Sequence, residues 1–329
     1  MHDSKLVQFW QGSKSLSLQK LKIIDLSFSS DLIKSPDFSQ VPNLEELILE
    51  YCNKLSGIHP SIGYLKRLSL VNLRFCDNLI FLPGDFYKSK SVETLFLSFC
   101  SNFKKLHKDL GKMISLKILD ADSTAIKRVP PSIVRLNNLT RLDLSWCKLD
   151  DNKIPKDLGS LISLQDLNLK GNSFCSLPSL NDLSKLETLK LSKCRNLHTI
   201  PNLPTNLEVL KAPGCPTLKI MPNFSEMSKM RKLNLSDSSK LTEVPGLDKS
   251  LSSMTLIDMK RCTNLTDNFK KNILQVSLPL SFNCLPIVRM HAQTHMYMYI
   301  YDTCIVYIGM DFLRIWWHFL PWELCSWLV

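Results

Sequence analysis

The amino-acid sequence predicts an α/β repeat solenoid with one open, parallel β-sheet, and three observations carry that prediction. A frame of the form LxxLxxLxLxxC/NxxLxxLP recurs eleven times between Leu18 and Asn268. The residues that open each LxxLxL box are Leu21, Leu44, Leu68, Val92, Leu116, Leu139, Leu164, Leu186, Leu207, Met230 and Met254. Seven of the chain's eleven cysteines fall at one place in that frame.

The spacing of the opening residues is about 23, inside the window of leucine-rich repeats, so a horseshoe with a concave parallel sheet and irregular or 3-10 convex segments is expected. In each copy the LxL pair puts two apolar side chains on one face of a short strand, because side chains alternate with period two. A single copy cannot bury that face, so neighbouring copies must stack and share one elongated core.

The next element is the column eight residues after the opening position, which reads Cys52, Cys76, Cys100, Cys147, Asn172, Cys194, Cys215 and Cys262, with Ser29, Thr124 and Ser238 in the remaining copies. A small side chain carrying a donor suits the end of a strand, where it can satisfy loop carbonyls that would otherwise be buried unpaired. Cysteine serves there as a small, weakly donating hydrophobe, and these residues form a structural ladder. Parallel thiols strung along an axis do not converge on a metal, and no CxxC pair occurs. A run of unpaired thiols points to a reducing compartment.

One position earlier, the column reads Phe28, Tyr51, Phe75, Phe99, Ser123, Trp146, Gly171, Lys193, Gly214, Asp237 and Arg261. Two readings of its aromatic half stay open: a stripe for contacting a protein partner, or rings that stack on one another to cover the edge of the sheet. The column inside LxL carries Asp120 and Asp143, then Lys190 and Lys211. With Lys193 these make an acidic patch followed by a basic one, a sign alternation that suits selective protein contacts better than uniform tracking of phosphates. The expected ligand-binding surface, on the concave face, is therefore Phe28, Tyr51, Phe75, Phe99, Trp146, Asp120, Asp143, Lys190, Lys193 and Lys211.

Composition narrows the chemistry. The chain has 329 residues, 44% hydrophobic, with a formal charge of +11. Lysines spread through turns and convex segments account for that charge as solvated surface, so neither nucleic acid nor membrane is an expected partner. No GxGxxG or GxxxxGK[ST] motif is present, which argues against nucleotide binding. His291 and His295 have i, i+4 spacing without an intervening glutamate, and no triad-like set would be brought together by the repeats. No catalytic residue, metal or cofactor is expected, and the chain is not read as an enzyme.

Three strings carry a family resemblance: LVQFWQGSKSL, LKIIDLSFSSDLIKSPDFSQVPNLEELILEYC and CTNLTDNFKKNILQ. They resemble the repeat region of plant intracellular immune receptors, in particular the class with a Toll/interleukin-receptor domain and a nucleotide-binding domain ahead of the repeats. The resemblance runs from about Leu6 to Gln275. It implies a cytoplasmic or nuclear module that recognises a pathogen effector or a guarded host protein and holds the receptor's nucleotide-binding domain inactive. It also implies a division into residues 1–17, a remnant of a preceding repeat marked by Leu6 and Trp10, a repeat domain at 18–275, and a non-repeat tail at 276–329.

The tail departs from the family. It holds four of the six tryptophans and four of the seven tyrosines. Its uncharged run between Asp302 and Asp311 is far shorter than the ~20 residues a spanning helix needs. Val276-Ser277 is what a translated splice donor spells, and Met310–Val329 back-translated and read one base later resembles the family's post-repeat segment. The tail is therefore expected to be intron-derived and frame-shifted, without a packed fold of its own. Two other functional readings remain beside the immune-receptor module. An extracellular repeat-receptor ectodomain is suggested by Leu55-Ser-Gly-Ile-His-Pro60 and by sequons at Asn138, Asn223, Asn234 and Asn264; a ubiquitin-ligase substrate adaptor is suggested by Cys262-Thr-Asn-Leu-Thr-Asp267.

Overall fold

In the computed structural model, which describes residues 3–5, 7, 18–277 and 287–290, every LxxLxL box forms one short strand. These are β1 (Ile23–Asp25), β2 (Glu46–Ile48), β3 (Leu70–Asn72), β4 (Thr94–Phe96), β5 (Ile118–Asp120), β6 (Arg141–Asp143), β7 (Asp166–Asn168), β8 (Thr188–Lys190), β9 (Val209–Lys211), β10 (Lys232–Asn234) and β11 (Leu256–Met259). They pair in parallel and in sequence order, with a further strand β12 (Ile287–Met290) added beside β11. The horseshoe solenoid expected from the repeat period is the fold.

Register is constant although the repeats differ by a few residues in length. Ile24, Leu47, Val71, Leu95, Leu119 and Leu142 are successive Cα partners, and the line continues through Leu167, Leu189, Leu210, Leu233 and Ile257. A slip of one residue would turn every core leucine to solvent, so length differences are absorbed on the convex side. That side is built from 3-10 turns at Phe38–Gln40, Pro60–Tyr64, Gly84–Lys88, Leu110–Lys112, Pro131–Arg135 and Leu158–Ser160. Phe38, Phe86, Phe103, Phe174 and Phe224 are fully buried and fill the space behind the leucines. The result is one continuous core from Ile24 to Ile273.

The two ends follow the same logic. A single short turn of helix, α1 (Leu247–Ser250), leads into β11, and past β11 the chain forms α2 (Asp267–Ser277). Thr266 Oγ1 accepts the Phe269 N–H at 3.2 Å as the N-cap of α2, and Phe269 and Ile273 are buried against the last repeat. At the other end, Asp3 has a left-handed backbone and its N–H donates to the Ser27 carbonyl at 2.9 Å. Leu6 and Trp10, the expected remnant of an earlier repeat, lie outside the described residues. So does most of the tail, of which the end of α2 and β12 are described.

Candidate functional site

The aromatic column sits three residues beyond the end of each strand that precedes it, on the rim of the sheet. Every member has a positive φ, from Phe28 at 63° through Trp146 at 49° to Arg261 at 58°. The cause is local. At this position the chain turns from the sheet into the convex loop, and each backbone N–H points at the next repeat: Tyr51 N–H donates to Arg74 O at 2.9 Å, Phe75 to Ser98 O at 3.0 Å and Phe99 to Asp122 O at 2.8 Å. A left-handed residue is the geometry that keeps this rung, and an L-residue with a Cβ adopts it at a cost of roughly 1 kcal/mol. Gly171 and Gly214 occupy the column where no Cβ is needed, both at φ 72°.

Four rings of the rim stack face to face. The centroids are 4.7 Å apart for Phe28 and Tyr51, 4.2 Å for Tyr51 and Phe75, and 4.7 Å for Phe75 and Phe99, with interplanar angles of 12° or less. The end rings nonetheless stay open to solvent, with Phe28 44% and Phe99 43% exposed, while Tyr51 and Phe75 between them are partly covered; Trp146, further along the column, is 44% exposed. Self-stacking and availability to a partner therefore coexist. The stack ends at Phe99, where Ser123 follows in the column, and the Trp146 ring one repeat later lies instead where a Cβ on Gly171 would be.

The cysteine column forms a ladder of hydrogen bonds one position further in. Each thiol donates to a carbonyl of the preceding repeat: Cys52 to Leu26 at 3.3 Å, Cys76 to Leu49 at 3.1 Å, Cys100 to Leu73 at 2.9 Å and Cys147 to Ala121 at 3.3 Å. Cys194, Cys215 and Cys262 do the same to Leu169, Leu191 and Leu235. Asn172, the one amide in the column, reaches two carbonyls, Leu144 and Leu169, both at 2.9 Å, and accepts the Leu149 N–H. Burial pushes the thiols of Cys52, Cys147, Cys194 and Cys262 up to about 11 and that of Cys215 up to about 12, so they stay protonated donors. The Cys76 thiol is raised by its hydrogen bond with Cys100 and by burial. All seven are free cysteines, and among the described residues no His/Cys/Asp/Glu group could hold a metal ion.

On the concave face the acidic residues have a structural use as well as a charge. Asp143 Oδ1 accepts the Ser145 N–H at 2.9 Å, as Asp25 accepts from Ser27 and Asn72 from Arg74. These short local bonds close the end of each strand. Asp120 is paired: the Arg74 guanidinium lies 3.1 Å from its Oδ2 and 3.7 Å above the Phe96 ring. Asp143 is held by neutral donors, Ser145 Oγ at 2.5 Å and Asn168 Nδ2 at 2.8 Å. Of the basic residues, Lys190 pairs with Asp166 at 2.9 Å and Lys193 has its ammonium 5.8 Å from the Trp146 ring, while Lys211 is exposed.

Sequence reasoning passed over Arg74, Phe96, Asp122 and Asp166. The signal was available, because residues two apart in a strand share a face and the position two beyond the Asp120 column belongs with it. Asp122 lies in that second column and accepts from Ser145 Oγ at 2.9 Å and Ser123 Oγ at 3.1 Å. Burial, opposed by those two hydroxyls, and the neighbouring Asp143 and Asp120 carboxylates raise its pKa above the usual carboxylate value.

The fold and its ladder define the class: this chain is a leucine-rich repeat protein. The family described as Leucine Rich Repeat matches one copy, residues 138–161. An internalin (inlF) from Listeria monocytogenes shares the fold, with a TM-score of 0.57 at 17% identity over 77% of this chain and 76% of that one. Within the class, the repeats are related to those of plant disease-resistance proteins. TMV resistance protein N of Nicotiana glutinosa is 28% identical over 72% of this chain, and Disease resistance protein RPS6 of Arabidopsis thaliana is 35% identical over 80% of it. The chain spans 29% and 23% of the length of those two relatives.

Proposed function

We propose that this chain is the protein-recognition and autoregulatory repeat module of a plant immune receptor. Its rim and concave face contact a pathogen effector or a guarded host protein, and the same solenoid restrains the receptor's nucleotide-binding domain. The observation that carries the reading is the row of stacked rings from Phe28 to Phe99, exposed at both ends, with the exposed Trp146 further along the same column. Rigid aromatic area on a preformed sheet is what a protein interface uses, since little entropy is lost when it is covered. Solenoids place such surfaces along the repeat axis.

The chain acts as a binding module and not as a catalyst in this reading, and it works in the cytoplasm or nucleus, where the seven column thiols stay reduced. Among the described residues no helix is long and apolar enough to cross a membrane. The test is a pull-down from plant tissue with the full chain, compared with a Phe75→Ala, Phe99→Ala, Trp146→Ala variant shown by circular dichroism to be folded. Loss of one or more partners from the variant is the expected result. Identical partners on both proteins would remove the rim from the recognition surface.

A further inference from the structure

The concave face changes character along the solenoid. In β1 to β5 the residues that flank the buried middle position include one large apolar side chain per strand: Ile23, Ile48, Leu70, Phe96 and Ile118. Register makes them neighbours in a zigzag, because Ile23, Leu70 and Ile118 share one row across the sheet while Ile48 and Phe96 stand in the row two residues on. Ile23 is 51% exposed and the other four are partly open to solvent. The zigzag then stops: β6, β7 and β8 carry Arg141, Asp143, Asp166, Asn168, Thr188 and Lys190 at the same positions.

Charge frames the zigzag with one sign. In these five repeats the two rows and the position two beyond them hold the carboxylates Asp25, Glu46, Glu50, Asp120 and Asp122 against the single cation Arg74, although the chain as a whole carries +11. Arg74 is neutralised by Asp120 at 3.1 Å and lies over the Phe96 ring at 3.7 Å, so it adds surface to the zigzag and no free positive charge. Glu50 is met by the neutral Asn72 amide at 2.9 Å, and Asp122 by the hydroxyls of Ser145 and Ser123. Neutral donors leave the negative charge in place. Such a border repels nucleic acid and anionic lipid and attracts a cationic protein surface.

We infer that the concave face of β1 to β5 docks a cationic amphipathic helix of a protein partner, its apolar stripe on the zigzag and its basic side chains on the bordering carboxylates. The inference rests on the recognition reading above and names the chemistry of the partner. Spacing is what selects a helix. Neighbouring strands lie ~4.8 Å apart, so the zigzag advances by that distance per side chain and changes row at every step. A helical stripe of residues three and four apart advances by about 5.2 Å on average and also alternates between two rows. An extended segment presents one side chain to the sheet every ~6.7 Å in a single row, and falls out of step by the second contact. From Ile23 to Ile118 the zigzag spans ~19 Å, the length of about thirteen helical residues.

The probes are three fluorescein-labelled peptides of about fourteen residues, titrated into the full chain and read by anisotropy. One has leucine and lysine at helical period, one has leucine and glutamate at the same period, and one has the leucines and lysines of the first in strict alternation. The first should bind saturably and at least about tenfold more tightly than either of the others. E46K/E50K reverses the border and should weaken that binding at least about tenfold while the leucine–glutamate peptide gains. L70K puts a charge in the middle of the zigzag and should also abolish binding, its fold checked by circular dichroism. E187K/E208K makes the same change in net charge outside the zigzag and should leave the titration unaltered. Equal binding of the acidic or the alternating peptide, an undiminished response in E46K/E50K or in folded L70K, or an equal loss in E187K/E208K would each overturn the assignment. A pull-down with E46K/E50K separates the two ideas: partners lost from the triple alanine variant but kept by this one leave the recognition rim standing without a helix-docking face.

Discussion

Gly171 and Gly214 form a matched pair in which one variable, the Trp146 ring, can be isolated. Both have φ 72°, so alanine at either must adopt a left-handed backbone, worth about 1 kcal/mol against glycine. At Gly214 the new Cβ would meet nothing nearer than Lys193 Cγ at 3.4 Å, an ordinary contact. At Gly171 it would lie 2.3 Å from Trp146 Cε3 and 2.4 Å from Cδ2, so the indole must leave its position. Displacing a stacked ring adds on the order of 1 kcal/mol of lost packing. Gly214→Ala should therefore cost about 1 kcal/mol and Gly171→Ala about 2 kcal/mol, read from urea midpoints by far-ultraviolet circular dichroism. In a Trp146→Ala background the Gly171→Ala cost should fall to the Gly214→Ala value, the coupling that a double-mutant cycle measures. Equal costs at the two glycines in the parent, or an undiminished Gly171 cost without the tryptophan, would refute the claim that the indole is what demands glycine at 171.

Other perturbations test the ladder and the charges. Ser238 occupies the cysteine column fully buried, with a hydroxyl that finds no partner among the described residues. Ser238→Cys places the column's usual thiol within reach of the Ala212 carbonyl and should raise stability by about 1 kcal/mol, against a loss if the site is merely tight. Cys100→Ala removes a buried thiol and its 2.9 Å bond to Leu73 O, and should lower the urea midpoint by about 2 kcal/mol equivalent. The buried thiols titrate from an ordinary value of 9.0, and in Cys52, Cys147, Cys194 and Cys262 the fold holds the proton to about 11. Their contribution is complete below pH 9 and is lost as pH climbs towards 11, so thermal scans should show a steep fall in that window. No such fall would mean the thiols are not buried donors. Asp122 is shifted the same way, so its fold prefers the protonated acid and stability should rise as pH drops towards the carboxylate range. D122N should raise the melting temperature at pH 7 and flatten that part of the profile.

Most of the fold was legible because it is written eleven times. Leu47, Val71 and Leu95 can be assigned to one buried line from their spacing alone, and their register in the sheet follows. The cysteine column was also readable as a row of inward donors, since a small polar atom at a strand end has few other uses. The rim was harder. Its composition showed aromatic residues, but not that they stand past the strand end where the chain turns into the convex loop. Nothing in Phe28, Tyr51 or Phe75 announces a positive φ, because bulky residues seldom take one, and only Gly171 and Gly214 in the same column hinted at it.

The sequence by itself determined the repeat, the parallel sheet, the residues of the core and the ladder, because each depends on a period and on the burial of apolar area. Only the tertiary structure decided the handedness of the rim residues and the partnerships across repeats: that Arg74 spans two repeats to Asp120, that Trp146 lies over Gly171, and that the rings from Phe28 to Phe99 stack face to face. The physical reason is that a period states which residues are neighbours along the axis, whereas the direction in which a side chain leans is set by backbone dihedrals and by packing against the next copy, and those exist only once the copies are stacked.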